Sequence, residues 1–216
     1  PARSLFISGF TMDKFEVTVA QYRRCVEAGA CKAPSGTARC NWTKAGREDH
    51  PVNCVDWSQA TAYCAWTGKR LPTEAEWEKA ARGTEGREYP WGNSEPDCTK
   101  ATFEYAVDKY CNGETVAATA YPNAASPYGV VQLAGNLSEW TSDWYDRGYY
   151  ATSPAVNPTG PASGTVRSAR GGSSRCRSPV RAGRAGRRWS GSGARPAGRS
   201  RRSCSPRARR PSAWAS

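Results

Sequence analysis

The chain has 216 residues and a formal net charge of +12, from 31 Lys and Arg against 19 Asp and Glu. That basicity is confined to one end: residues 171–216 hold thirteen arginines and no acid, which leaves residues 1–170 close to neutral. The body is long enough to bury its own core, its composition excludes collagen, coiled coil and outright disorder, and no apolar run approaches the roughly 18 residues that span a membrane.

The predicted elements are short and separated by long irregular stretches. Thr18-Val-Ala-Gln21 is a capping box, in which the hydroxyl accepts from the third amide on and the glutamine reaches back. The helix it opens runs through Tyr22, Cys25 and Val26 and stops near Gly29. A second helix starts near Asp56 or Ser58, ends at Gly68 and carries Tyr63 and Trp66 on one face. The third is signalled at both ends, with Pro72 before the capping box Thr73-Glu-Ala-Glu76 and Gly83 after the last turn. Trp77, Ala80 and Ala81 form its core-facing stripe, and Glu78 and Arg82 sit four apart in the favourable order. Residues 88–161 are rich in Pro, Gly, Asn and Tyr; Tyr89-Pro-Trp-Gly-Asn93 and Tyr121-Pro-Asn123 are turn sequences. Gly135-Asn-Leu-Ser-Glu-Trp140 reads as a turn entering a strand over residues 140–145. With no βαβ alternation and no sustained period of two, the fold class is an irregular α+β domain. Trp57, Trp66, Trp77, Trp91, Trp140 and Trp144 either line a sugar or peptide groove or fill the core, and an irregular domain uses such residues mainly for the core.

Nine cysteines point to an oxidising compartment, and so to an extracytoplasmic or secreted protein. The chain starts at Pro1 without an initiator Met or a signal peptide, as a mature form or a fragment would. Seven cysteines lie in the body, an odd number. Cys25 and Cys31 are six apart at a helix end, where Gly29 lets the chain turn back, so a local bridge is feasible. Cys40 with Cys54, and Cys98 with Cys111, flank polar loops and read as staples. Cys64 is left over, free or mispaired.

The order of the segments carries the most information. Val17-Thr-Val-Ala-Gln-Tyr22 is followed by His50-Pro-Val-Asn-Cys-Val-Asp-Trp57, Ala62-Tyr-Cys-Ala-Trp66 and the run from Gly68-Lys-Arg-Leu-Pro-Thr to Lys79-Ala-Ala-Arg82. Tyr89-Pro-Trp-Gly-Asn93, Gly135-Asn-Leu-Ser-Glu-Trp140 and Arg170-Gly-Gly-Ser173 close the series. Together these blocks closely resemble the formylglycine-generating enzymes, or sulfatase-modifying factors, over residues 6–173. The resemblance implies an irregular α+β fold related to C-type lectins, with residues 1–173 as the domain. It also implies an oxidase that converts a cysteine of a protein or peptide substrate to formylglycine with molecular oxygen.

Such an enzyme needs two thiolates for monovalent copper, a soft ion. By position in the family the first is Cys176, and the second position holds Arg181. One thiolate beside a guanidinium is no copper clamp, so copper is expected only if the pair were complete, and the oxidase reading is weakened. A lectin-like binding module on the same scaffold is the alternative, and a frame-shifted, non-functional product is another. The related iron enzymes use histidines; here His50 is the one histidine, read as structural or solvated. A calcium site is implied on the Gly-Asn-x-x-Glu-Trp turn, held by the Gln132 and Glu139 side chains and the Gly135 and Leu137 carbonyls. The competing reading of Glu139 is a carboxylate that only caps turn amides. By the same resemblance the counterpart of Cys64 pairs with a cysteine in a closing Gly-Phe-Arg-Cys motif that this chain lacks; Cys204 lies near the expected distance.

Residues 174–216 collapse to Arg, Ala, Gly, Ser and Pro and are expected to be disordered. Without repeats or lysines, and with Trp189 and Trp214 as the only stacking residues, the tail is a weak candidate for nucleic acid despite its charge. A GC-rich gene read out of frame yields this mixture, and codons for Ala213-Trp-Ala-Ser216 shifted by two bases can encode (Leu/Met/Val)-Gly-(Phe/Leu/Ile/Val).

Overall fold

A computed structural model describes residues 4–106 and 109–174. Cys176, Arg181, Cys204 and the rest of the arginine-rich tail lie outside the described residues, as do the readings made of them.

Three helices begin where the sequence places them. In α1 (Val19–Glu27), α2 (Trp57–Trp66) and α3 (Glu74–Arg82) the N-caps are Thr18, Asp56 and Thr73, each closing a full capping box with Gln21, Gln59 and Glu76. Each cap satisfies amides that would otherwise lack partners and contributes about 1 kcal/mol. A short helix α4 spans Tyr149–Thr152. The strands are β1 (Glu104–Ala106) with β2 (Lys109–Tyr110), and β3 (Ser138–Trp144) with β4 (Arg167–Gly171), both pairs antiparallel. Thus β3 begins two residues earlier than the sequence suggests, and its partner is an arginine-containing strand that hydropathy does not mark.

Irregular backbone pairing replaces a larger sheet. The Val52 amide donates to Val17, that of Val19 to His50, and that of Val131 to Lys14. Around this frame α1 and α2 bury Val19, Tyr22, Cys25, Ala60, Tyr63 and Cys64 against Val17, Val52, Val55, Leu71 and Trp140. The Tyr22 and Tyr63 rings stack at 5.6 Å. A second cluster packs Trp77 and Ala81 of α3 on Val130 and Leu133. Of the six tryptophans in question, Trp77 and Trp140 are core residues, Trp57, Trp91 and Trp144 are half-buried, and Trp66 is exposed, although it shares a helix face with buried Tyr63.

Three disulfides brace the loops: Cys25–Cys31, Cys40–Cys54 and Cys98–Cys111. Cys64 is buried and has no disulfide partner among the described residues. The predicted Glu78–Arg82 ion pair forms at 2.8 Å.

Candidate metal centre

The turn over residues 132–137 joins the second core cluster to β3, and its backbone is held in conformations that side chains rarely adopt. Gln132 and Asn136 have φ of 67° and 55°, an arrangement that costs about 1–2 kcal/mol per residue and persists only where the surroundings enforce it. Gly135 is required because a Cβ there would lie 2.8 Å from the Thr102 carbonyl oxygen.

Asn136 supplies the enforcement. Fully buried, it donates from Nδ2 to Glu16 Oε2 at 2.6 Å and to the Val116 carbonyl at 3.3 Å, and its Oδ1 accepts from the Val116 amide at 3.0 Å. Its backbone amide donates to Thr102, and its carbonyl accepts from Ser174 at 2.8 Å. One residue thus fastens the turn through its side chain to the segment before α1 and the loop at Val116, and through its carbonyl to the residue that follows the Gly-Gly-Ser block.

Two carboxylates meet here in the protein interior. Glu139, the second residue of β3, is 1 % exposed and accepts a hydrogen bond from the Trp77 indole N–H. Its partner is therefore an indole rather than the turn amides of the capping reading. Burial pushes its carboxyl up to about 8, with the indole pulling the other way. Glu16 is 2 % exposed. Burial, and after it the charge of Glu139, hold its carboxyl well above the ordinary range. Neither carboxylate has a salt bridge to a Lys or Arg side chain among the described residues. Glu16 Oε1 and Gln132 Oε1 are buried without a hydrogen-bond partner among the described residues, while Gln132 Nε2 donates to the Ala120 carbonyl. That bond fixes the amide so that its oxygen is the atom left over.

Two uncompensated buried carboxylates and an orphaned amide oxygen fit a hard cation, which accepts carboxylate, amide and carbonyl oxygens in a flexible shell. No three His, Cys, Asp or Glu side chains form a metal cluster among the described residues, so a cation here would draw on amide and carbonyl oxygens as well. Gln132, Gly135, Leu137 and Glu139 fall on one turn and the start of one strand, as expected. At Gly171 a Cβ would come within 3.4 Å of the Leu137 carbonyl oxygen and 3.5 Å of that of Leu133. Sequence reading missed Glu16 and Asn136. Glu16 looks like any acid ahead of a helix, and the Gly-Asn step of the turn was the one local signal for Asn136.

Further along β3 lies another buried acid. Asp143 accepts from the Glu74 amide at 2.8 Å, at the N-terminus of α3, and its Oδ1 has no hydrogen-bond partner among the described residues. Burial pushes its carboxyl up to about 6. Arg170, across the strand pair from Glu139, lies over the Trp77 ring and pairs with Glu74 at 3.4 Å and Glu78 at 2.7 Å. His50 Nδ1 lies 3.0 Å from both Thr115 Oγ1 and Arg47 Nη1; burial, then Arg47, push its pKa down. This is the structural role expected of it.

The sequence profile of the sulfatase-modifying factor enzyme 1-like domain matches residues 1–199. The chain belongs to that family. It is 44 % identical over 139 residues to a formylglycine-generating enzyme of Streptomyces coelicolor, covering 61 % of this chain and 44 % of that protein. To the formylglycine-generating enzyme of Thermomonospora curvata it is 42 % identical over 156 residues, covering 67 % and 50 %. The chain therefore spans about half the length of these relatives. Among solved structures, Treponema denticola variable protein 1 superposes with a TM-score of 0.60 at 24 % identity, over 79 % of this chain and 75 % of that one, a likeness of fold. The irregular α+β architecture is thus the family's. No helix among the described residues is long and apolar enough to cross a membrane.

Proposed function

We propose that this chain is a calcium-braced sulfatase-modifying-factor domain that binds a protein or peptide segment but does not itself oxidise cysteine. The reading rests on one observation: Cys176 stands where such enzymes have their first copper thiolate, and Arg181 stands where they have the second. Monovalent copper held between two sulfurs needs both. The rest of the domain is built around the strained turn at residues 132–137 and the buried carboxylates Glu16 and Glu139.

Calcium would be held by Gln132 and Glu139 with the carbonyls of Gly135 and Leu137. When bound, it supplies positive charge that offsets the buried carboxylates and does no redox chemistry. This chain's own residues do the rest: Trp77 orients Glu139, Asn136 sets the turn, and the Asn136 carbonyl holds Ser174, two residues before Cys176. Three disulfides support an extracytoplasmic setting, where calcium is plentiful.

The test is incubation of the full chain with monovalent copper, oxygen and a Cys-x-Pro-x-Arg peptide, followed by mass spectrometry for the aldehyde. No formylglycine is expected, while a labelled peptide panel should contain binders. Turnover of the peptide overturns the reading in favour of an oxidase. Absence of any peptide ligand removes the binding half and leaves the product without a function of its own.

A further inference from the structure

We infer that Glu16 is a direct ligand of the divalent cation, supplying a second carboxylate from the segment before α1 to a site otherwise built on the 132–139 turn. The inference rests on the calcium reading above and goes beyond the four residues that reading uses. Three observations converge on it. Glu16 is 2 % exposed and has no ion pair with a Lys or Arg among the described residues, so nothing cationic on those residues is placed to offset a carboxylate there. Glu16 Oε2 accepts a hydrogen bond from Asn136 Nδ2 at 2.6 Å and the Leu137 backbone also bonds to this carboxylate, yet Oε1 is buried with no hydrogen-bond partner among the described residues. Across the same interior, the Gln132 amide is likewise bonded through its nitrogen with its oxygen left over. Two orphaned oxygens come from segments more than a hundred residues apart, one of them on a carboxylate that feels the charge of Glu139, and oxygens of this kind are what a hard cation takes as ligands.

The arrangement also explains why Asn136 is held at φ 55°. Its amide reaches Glu16 Oε2 from within the turn, which leaves Oε1 as the unused carboxylate oxygen. A second carboxylate changes what the site selects. With Glu16 and Glu139 both contributing, it carries two negative charges and favours a divalent or trivalent hard ion over a monovalent one. It also ties the N-terminal segment to β3, so cation binding fastens residues 16 and 139 together.

The test uses the full chain, purified with its disulfides intact and stripped with chelator. Terbium is the probe, because the Trp77 indole, bonded to Glu139, sensitises a lanthanide bound there; calcium competes it off, and calcium titration calorimetry gives the affinity directly. Glu16→Gln retains an acceptor for Asn136 but loses the charge, and should weaken calcium and terbium binding about tenfold or more. Glu16→Asp keeps the charge but draws the oxygens back by one methylene and should weaken binding too. It is the second variant should Glu16→Gln fail to fold. Wild-type affinity in either variant that folds overturns the role of Glu16 while leaving the calcium reading intact. Absence of sensitised terbium emission and of calorimetric calcium binding in the wild-type chain overturns both.

Discussion

The indole N–H of Trp77 on α3 donates to the carboxylate of Glu139 on β3, and both side chains are only 1 % exposed. The bond joins the helix best signalled in the sequence to the strand that carries the candidate metal centre. Trp77→Phe keeps most of the apolar contact with Val130 and Leu133 but removes the donor. A buried carboxylate that loses a charge-assisted hydrogen bond costs about 1.5–3 kcal/mol. Denaturant melts of the chelated protein above pH 8, where Glu139 is ionised, should show that loss. Calcium should recover part of it, because the cation compensates the same charge.

Stability without calcium should fall as the pH rises. Asp143 has its carboxyl raised from 3.8 to about 6, and Glu139 from 4.5 to about 8. A carboxyl whose pKa is raised by folding is bound more tightly to its proton in the native state. Its contribution is complete below the unfolded value and is lost as the pH climbs through the folded one. For Asp143 the window runs from about pH 4 to pH 6 and is worth about 3 kcal/mol. For Glu139, titrating together with Glu16, it extends to about pH 8. Thermal melts in chelator from pH 4 to pH 8 should show a declining midpoint. If the proposed site binds calcium, added calcium should flatten the upper part of the curve and leave the Asp143 step in place, since Asp143 is not among the proposed ligands.

What was legible in the sequence was local. Thr18 and Thr73 announce their helices because a capping box is written within four residues, the start of α2 was legible only to within Asp56 or Ser58, and the stripe Trp77, Ala80, Ala81 marks a face without reference to the rest of the chain. The Cys25–Cys31, Cys40–Cys54 and Cys98–Cys111 bridges were legible for the same reason, each closing a short loop. Strand β4 was not. Arg167 and Arg170 read as exposed, yet Arg167 is stacked between the rings of Trp57 and Trp144 at 3.8 and 3.6 Å, and Arg170 is buried by Glu74 and Glu78. Glu16 was illegible because its burial depends on Asn136, 120 positions away, and no periodicity encodes that distance.

Asn136 should be the least replaceable residue of the turn. Asn136→Ala would remove the side-chain partner of buried Glu16 Oε2 and of both polar groups of half-buried Val116 while keeping a strained φ. At about 1–3 kcal/mol for the buried oxygen, and less for the two Val116 groups that water can reach, the loss should be about 2–3 kcal/mol. Asn136→Gly relieves the backbone but loses the same bonds, so it should recover only about 1 kcal/mol of that loss. Urea midpoints of the two variants against wild type give the comparison. Equal stability of Asn136→Ala and wild type would show that the three contacts carry no weight.

Gly160 is fixed by its neighbour on β3. It sits at φ 79°, and a Cβ there would lie 2.7 Å from Asp143 Cβ and 3.0 Å from its orphaned Oδ1. Gly160→Ala therefore meets both a backbone penalty and a steric one, against a side chain packed at the start of α3. The expected loss is about 2 kcal/mol or more, by the cost of the left-handed region plus overpacking. Relief of the clash in the double variant Gly160→Ala, Asp143→Ala would appear as a coupling energy in the double-mutant cycle.

Cys64 completes the account of the cysteines. It lies in α2, is fully buried among Tyr22, Tyr63 and Leu71, and has no disulfide partner among the described residues. Burial, and after it the charge of Asp13, push its thiol up to about 12, so almost no thiolate exists at neutral pH. Since the thiolate is the reactive form, the thiol should resist alkylation in the native state on both grounds. Iodoacetamide applied to the native protein should leave Cys64 unlabelled, and the same reagent in guanidinium should label it fully. A non-reduced digest should return Cys25–Cys31, Cys40–Cys54 and Cys98–Cys111 as linked peptides. Rapid native labelling of Cys64 would show that the α1–α2 core opens. A linked peptide joining Cys64 to Cys176 or Cys204 would show that the arginine-rich end packs against that core, and would replace the free thiol with a fourth bridge.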